Sequence, residues 1–163
     1  ESAHQRTQPP RITDDSKPGE VFREFLSSDT GAVADAWRLI EHGISAHWVK
    51  DLAARMSMSQ ASLISMLDLP PSAVRERAGA PRRLSPSQSS RVLGLYCLIR
   101  TVEGIVEECG DPEGLNASTW LSGWLQSSLP ALGGRYPAEF LCTREGQQLV
   151  WSVICRIQSG AYS

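Results

Sequence analysis

Apolar residues along this chain recur at three- and four-residue intervals, the spacing that gathers them on one helix face. No run alternates with the period of two that a half-buried strand needs. Val21, Phe22, Phe25 and Leu26 form the stripe of a first short helix. Asp29-Thr30 caps a second, with Val33, Ala36, Trp37 and Ile40 inside and Gly43 as its stop. Ser45 is the expected N-cap of a third, which carries Trp48, Val49, Leu52, Ala53 and Met56. The turn Ser57-Met58-Ser59 leads to a helix over 60–67. Asp68-Leu69 breaks it, and Pro70-Pro71 opens another over 71–78 that ends near Gly79.

Stronger punctuation follows. Ser85-Pro86-Ser87-Gln88 places serine at a cap, proline at the first helical position and glutamine three residues after the cap, as a capping box requires. Val92, Leu95, Ile99, Val102 and Val106 then run towards Cys109, and Gly110-Asp111-Pro112 stops them. Ser118 is the expected cap of a helix through Gln126 that contains Trp120, Leu121, Trp124 and Leu125. Thr143 caps the last helix, with Leu149, Val150, Val153, Ile154 and Ile157 inside and Gly160 just past it. Between these two helices lies LPALGGRYPAEFL, residues 129–141, with two glycines and two prolines in thirteen positions. Such a stretch is either a tight connection or a rigid surface built to be read by a partner. The fold expected is all-α. Trp120, Trp124 and Trp151 are expected as core anchors, or as interface hot spots where they stay partly exposed.

Composition narrows the picture. A chain of 163 residues with 41% hydrophobic content supports one ordinary domain or two small ones. No apolar run approaches the roughly 18 residues of a membrane helix, and the polar opening lacks the apolar core of a signal peptide. A soluble cytoplasmic protein without a membrane partner is expected. With no initiator methionine, its N-terminus is expected to be longer or trimmed. Residues 1–19, with Pro9, Pro10, Pro18 and Gly19, read as a flexible arm. Cys97, Cys109, Cys142 and Cys155 are too far apart for a zinc site and are expected as small buried thiols in a reducing compartment.

Catalytic chemistry is not expected. His4 lies in the arm, while His42 and His47 lie at helix ends, and no nucleophile comes with a base in a recognisable pattern. Gly133-Gly134-Arg135 lacks the Lys-Ser/Thr of a phosphate loop, so neither metal nor cofactor is implied.

Charge points elsewhere. The total is only -2, yet between 71 and 91 Arg75, Arg77, Arg82, Arg83 and Arg91 face Glu76 alone. The next stretch ends negative, with Glu103, Glu107, Glu108, Asp111 and Glu113. Helices over 60–67 and 71–78 joined by a brief turn have helix-turn-helix spacing, in which the second helix enters the major groove. The candidate DNA contacts are Gln60, Ser72, Arg75, Arg77, Arg82 and Arg83. The competing reading is a common packing unit whose arginines solvate a surface.

Several signatures then occur in order: Leu84-Ser85-Pro86, Pro130-Ala131-Leu132-Gly133-Gly134-Arg135 with Pro137, Thr143-Arg144-Glu145-Gly146, Arg156-Ile157 and Gly160-Ala161-Tyr162-Ser163. Over roughly 44–163 the chain resembles the Xre/ParS-type antitoxins that pair with RES-domain toxins in bacterial type II toxin–antitoxin modules. It departs from them at Leu129, where an asparagine usually opens the turn.

The resemblance implies an arm over 1–19, a Cro-like helix-turn-helix domain for DNA binding and dimerisation over 20–83, and a helical toxin-binding domain over 84–163. It implies an antitoxin that covers the active site of a NAD-consuming RES toxin and represses its own operon as a homodimer within a larger complex. The cofactor chemistry would be the toxin's. The toxin contacts implied are Leu132, Gly133, Gly134, Arg135, Arg156, Gly160, Ala161, Tyr162 and Ser163. Arg135 would either meet a carboxylate of the toxin or hold the last helix in place. Tyr162 and the carboxylate after it would plug a nucleotide pocket, against the plainer reading of a frayed end. The alternative function is a stand-alone helix-turn-helix transcription regulator with no toxin partner.

Overall fold

The computed structural model of the chain describes residues 37–75, 82–109 and 114–160. Expectations about the arm, about 21–36, about Arg77 and about Ala161, Tyr162 and Ser163 lie outside these residues. The described residues are helical, with two isolated bridges in place of any strand, so the all-α expectation holds. After helical residues 37–42 come α1 (His47–Arg55), α2 (Gln60–Met66), α3 (Pro71–Val74), α4 (Pro86–Glu108), α5 (Ala117–Leu125) and α6 (Arg144–Gln158). Two 3-10 turns, Pro130–Leu132 and Pro137–Phe140, connect α5 to α6.

The axis of the fold is α4. Its start is the expected capping box: Ser85 Oγ accepts from the Gln88 amide, and Gln88 Oε1 accepts from the Ser85 amide at 2.9 Å. One flank of α4 meets α1, where Tyr96 lies edge-on to Trp48 and donates its hydroxyl to Asp51 Oδ2 at 3.1 Å. Burial, and then the Asp51 charge, push the Tyr96 hydroxyl pKa far up, which keeps it a donor. The opposite flank receives α5 and α6. A single apolar cluster therefore runs from Ile44 through Leu52, Leu95 and Leu121 to Ile154. Gln147 crosses from α6 into this cluster and donates to the carbonyls of Arg91 and Leu141, both at 2.9 Å. Gly94 makes room for it, because a methyl group there would stand 1.8 Å from Gln147 Oε1.

The link between α3 and α4 is tied back to the start of α1. The amide of Ala46 donates to Arg82 O at 2.8 Å, and that of Leu84 to Ile44 O at 2.9 Å. Beneath this bridge the buried Ser89 hydroxyl accepts from the Ile44 amide.

The second helix of the expected helix-turn-helix is shorter than its spacing predicts. The expected second helix over 71–78 is a single turn, Pro71–Val74, after which Arg75 is extended with ψ 121°. Ala73 and Val74 are drawn into the core, and the chain leaves the helix there. The tight pair is α1 and α2, joined through Met56-Ser59. At its turn Ser57 takes a left-handed φ of 54°, its amide bonds to Ala54 O, and the Met58 amide reaches Ala53 O. This is a Schellman stop, and α2 ends in another, with Asp68 at φ 49° and the Leu69 amide on Ile64 O. Glycine usually marks that position; serine and aspartate hide it.

Other expectations need correction. The cap of α5 is Asn116, which accepts from the Thr119 amide at 3.0 Å, so that Ala117, Leu121 and Leu125 share the buried face. Ser118 is buried instead. The residue at the N-cap of α1 is Ala46, although Ser45 Oγ accepts from the His47 amide at 3.3 Å. The thiols are not fully buried. Cys109 is exposed, and Cys97 is half-buried with its pKa pushed up to about 11 by loss of solvent around the thiolate. Trp37 is exposed while Leu39 and Ile40 turn inwards. Leu149, Trp151 and Ile157 on α6 are also exposed, because its buried stripe is the narrow set Gly146, Gln147, Val150, Val153 and Ile154.

Candidate functional site

Two surfaces are candidates, at opposite ends of the chain. The first is built on α1 and α2. Ser59 caps α2 by accepting from the Ser62 amide at 3.0 Å, and Leu63 anchors it in the core. Its outward residues are Ala61, Ser62 and Ser65, with Gln60 half-exposed at the start, so α2 carries no charged side chain. Groups of this kind offer hydroxyl and amide contacts, and the phosphate-seeking charge has to come from flanking segments.

The flanking cations are unevenly free. Arg91 donates to the carbonyls of Leu67 and Asp68 at 3.0 and 2.7 Å, closing the C-terminal end of α2. Arg83 donates to Gly43 O at 2.9 Å. Arg75 and Ser72 are exposed at α3, and Arg82 is half-exposed beside the start of α1. Gln60 lies past the far end of that nine-residue helix, which at 1.5 Å per residue spans about 14 Å. The expected DNA contacts are thus spread along one unit rather than gathered at one point.

The second surface is the connection over 129–141. Leu129 and Arg135 pair across an isolated antiparallel bridge, the Leu129 amide donating to Arg135 O and the Gly134 amide to Leu129 O. The loop between them closes because Gly133 and Gly134 take φ values of 66° and 78°, which L side chains rarely adopt. Space is not their reason: a methyl group on either would meet nothing within 4 Å. Leu132 is tucked beneath, while both glycines show bare backbone to the outside.

Arg135 is committed within the lobe. Its Nε and Nη2 donate to Glu139 Oε2 at 3.0 and 2.8 Å, and its guanidinium lies 4.6 Å over the Phe140 ring. Glu139 Oε1 accepts from the Tyr136 amide at 2.9 Å. That amide first, and then Arg135, hold the Glu139 carboxyl below its ordinary pKa. Beyond the lobe, α6 starts at Thr143, whose hydroxyl accepts from the Gly146 amide at 3.0 Å. At its other end Arg156 is exposed and Gly160 turns left-handed at φ 66°.

A charge cluster that the sequence presents as part of an acidic end ties α1, α4 and α5 together. Glu103 on α4 accepts from Arg55 on α1 at 2.6 Å and from Arg100 at 2.5 Å, and Arg55 Nε also donates to Ser118 on α5 at 3.3 Å. Sequence reading passed over Glu139 and Tyr136 as site residues. The four-residue interval from Arg135 to Glu139 is the signal that was there to find. Among the described residues no group of three His, Cys, Asp or Glu is placed to hold a metal, and no helix is long and apolar enough to cross a membrane.

Comparison with known proteins gives two family matches. Residues 35–95 match the antitoxin Xre-like helix-turn-helix domain family, and residues 115–160 match the antitoxin Xre/MbcA/ParS C-terminal toxin-binding domain family. The chain is 39% identical over 125 residues, 77% of its own length and 79% of the relative's, to the Prs ADP-ribosylating antitoxin of Sphingobium sp. (strain YBL2). The matched families are binding domains, and the chain is a binding protein rather than an enzyme. With a helix-turn-helix family match over 35–95 and a toxin-binding family match over 115–160, it belongs to the Xre/ParS-type antitoxins.

Proposed function

We propose that this antitoxin neutralises a NAD-consuming RES-domain toxin by covering its active site with the C-terminal region. We also propose that, as a homodimer formed through its N-terminal unit, it represses its own promoter in the cytoplasm. One observation carries the first part. Of the six large apolar side chains that stand exposed among the described residues, five (Leu115, Tyr136, Leu149, Trp151 and Ile157) lie in the stretch that matches the toxin-binding family. Exposed aromatic and aliphatic groups gathered in this way are what a protein partner buries. In this reading Leu132 to Arg135 form a rigid ledge, Arg156 and Gly160 aim the chain, and Ala161, Tyr162 and Ser163 enter the toxin's catalytic cleft.

Co-expression with the RES-domain product of the neighbouring gene tests it. The pair should co-purify, and the full chain should stop NAD loss in a purified assay. A variant ending at Ser159 should stay folded by circular dichroism yet need at least tenfold more protein for the same inhibition. Undiminished inhibition by that variant would remove the cleft-filling role from residues 160–163.

Repression is supported by the helix-turn-helix family match and by the exposed Arg75 and half-exposed Arg82. Because α2 brings no charge, binding to the operon's own promoter should depend steeply on salt and little on single base changes under α2. Replacing Arg75 and Arg82 together by alanine should lower the slope of log affinity against log salt by about 1 to 2. A gel shift that fails even at low salt would reject the repressor.

A further inference from the structure

The lobe that begins with Gly133 ends in a residue no comparison assigns. Tyr136 leaves the bridge at Arg135 as a residue 49% exposed, at the entrance of the turn Pro137–Phe140. Both its neighbours are held. Arg135 is fixed by Glu139, by Phe140 and by the bridge to Leu129, and Pro137 is buried. The Tyr136 amide itself donates to Glu139 Oε1. One carboxylate thus holds the residue before the ring through its guanidinium and the ring's own backbone through its amide.

We propose that Tyr136 is an anchor that enters an apolar pocket of the toxin, and that Glu139 is the positioning residue that presets it. The proposal rests on the toxin-neutralising reading and adds the contact and the residue that aims it. An aromatic side chain whose backbone is fixed in advance loses little freedom on binding, the property that makes such anchors strong. The ledge beside it is bare backbone with open space above Gly133 and Gly134, so a partner's main chain can approach closely. The chemistry favours a protein over a nucleic acid. The lobe's own cation, Arg135, is matched by Glu139 and stacked on Phe140, which leaves no free charge there to attract phosphate.

The test is calorimetric titration of the full chain with the co-expressed neighbouring toxin. Tyr136→Ala should weaken binding about 30-fold, the scale of a hot spot, with little change in melting temperature because the residue lies outside the core cluster. Glu139→Ala should weaken it several-fold, and Glu139→Gln, which still accepts from the Tyr136 amide, should recover part of that loss. The deciding measurement is the double variant. If Glu139 acts through Tyr136, Glu139→Ala should add almost nothing once Tyr136→Ala is present. Binding of Tyr136→Ala within twofold of the parent overturns the anchor, and a full additive loss in the double variant overturns the positioning role. Failure of the unsubstituted chain to bind overturns the toxin reading itself, and this inference with it.

Discussion

Replacing Gly146 by alanine should loosen the toxin-binding end more than any exposed substitution there. A methyl group at this buried position would stand 1.9 Å from Phe140 O and 2.8 Å from Phe140 C, both backbone atoms that cannot rotate away. Relief requires α6 and the turn Pro137–Phe140 to part by more than 1 Å, on the order of a contact radius deficit for a methyl against oxygen. Overpacking of this kind costs about 1–3 kcal/mol and occasionally more, against a gain of at most about 1 kcal/mol from alanine's better helix propensity. The steric term wins, and the net loss should be about 2 kcal/mol. For a chain of this length that lowers the melting temperature by roughly 4–8 °C.

The control is Gly123 on α5, where a methyl group meets nothing within 4 Å. There only the propensity term operates, and Gly123→Ala should stabilise by about 0.5–1 kcal/mol. Thermal unfolding of the two variants side by side checks both signs. The same displacement should carry the 129–141 lobe away from α6, so Gly146→Ala should also weaken toxin binding while leaving promoter binding near its parent value.

Glu103→Ala should have the second large effect, and it should reach both ends of the protein. Among the described residues Glu103 is the carboxylate that Arg55 and Arg100 share, and their side chains are 31% and 25% exposed. Removing it leaves two guanidinium groups facing each other in a site half shielded from water. Arg100 Nε already lacks a hydrogen-bond partner, so the cluster has no slack to absorb the loss. Breaking a fully buried pair costs about 3–5 kcal/mol; the partial exposure here reduces that to about 2–3 kcal/mol. Glu103→Gln keeps the shape and two polar contacts but not the charge, and should lose roughly half as much. Because Arg55 belongs to α1 and Ser118 to α5, unfolding midpoints followed at the two ends should fall together in Glu103→Ala. Separate transitions would mean that the cluster does not couple them.

What the sequence determined by itself was local. The box at Ser85, Pro86 and Gln88 and the cap at Thr143 appear where they were read, because each depends on atoms within four residues. The all-helical class followed from the same short-range periodicity. The family resemblance reached further, through the ordered signatures from Leu84 to Gly160.

Tertiary structure decided the rest. Ser57 and Asp68 turn left-handed without glycine's signal, which ends α1 and α2 tightly where the sequence shows only polar turns. Arg83 and Arg91, legible only as cations, close carbonyls on neighbouring elements. Leu149 and Ile157 share α6 with Val150 and Ile154, yet only the latter pair enters the apolar cluster that α4 organises. Apolar spacing states which face a helix prefers to bury, whereas the shape and width of the opposing surface set how much of that face is covered. The remainder stays exposed, and it is concentrated in the stretch that matches the toxin-binding family.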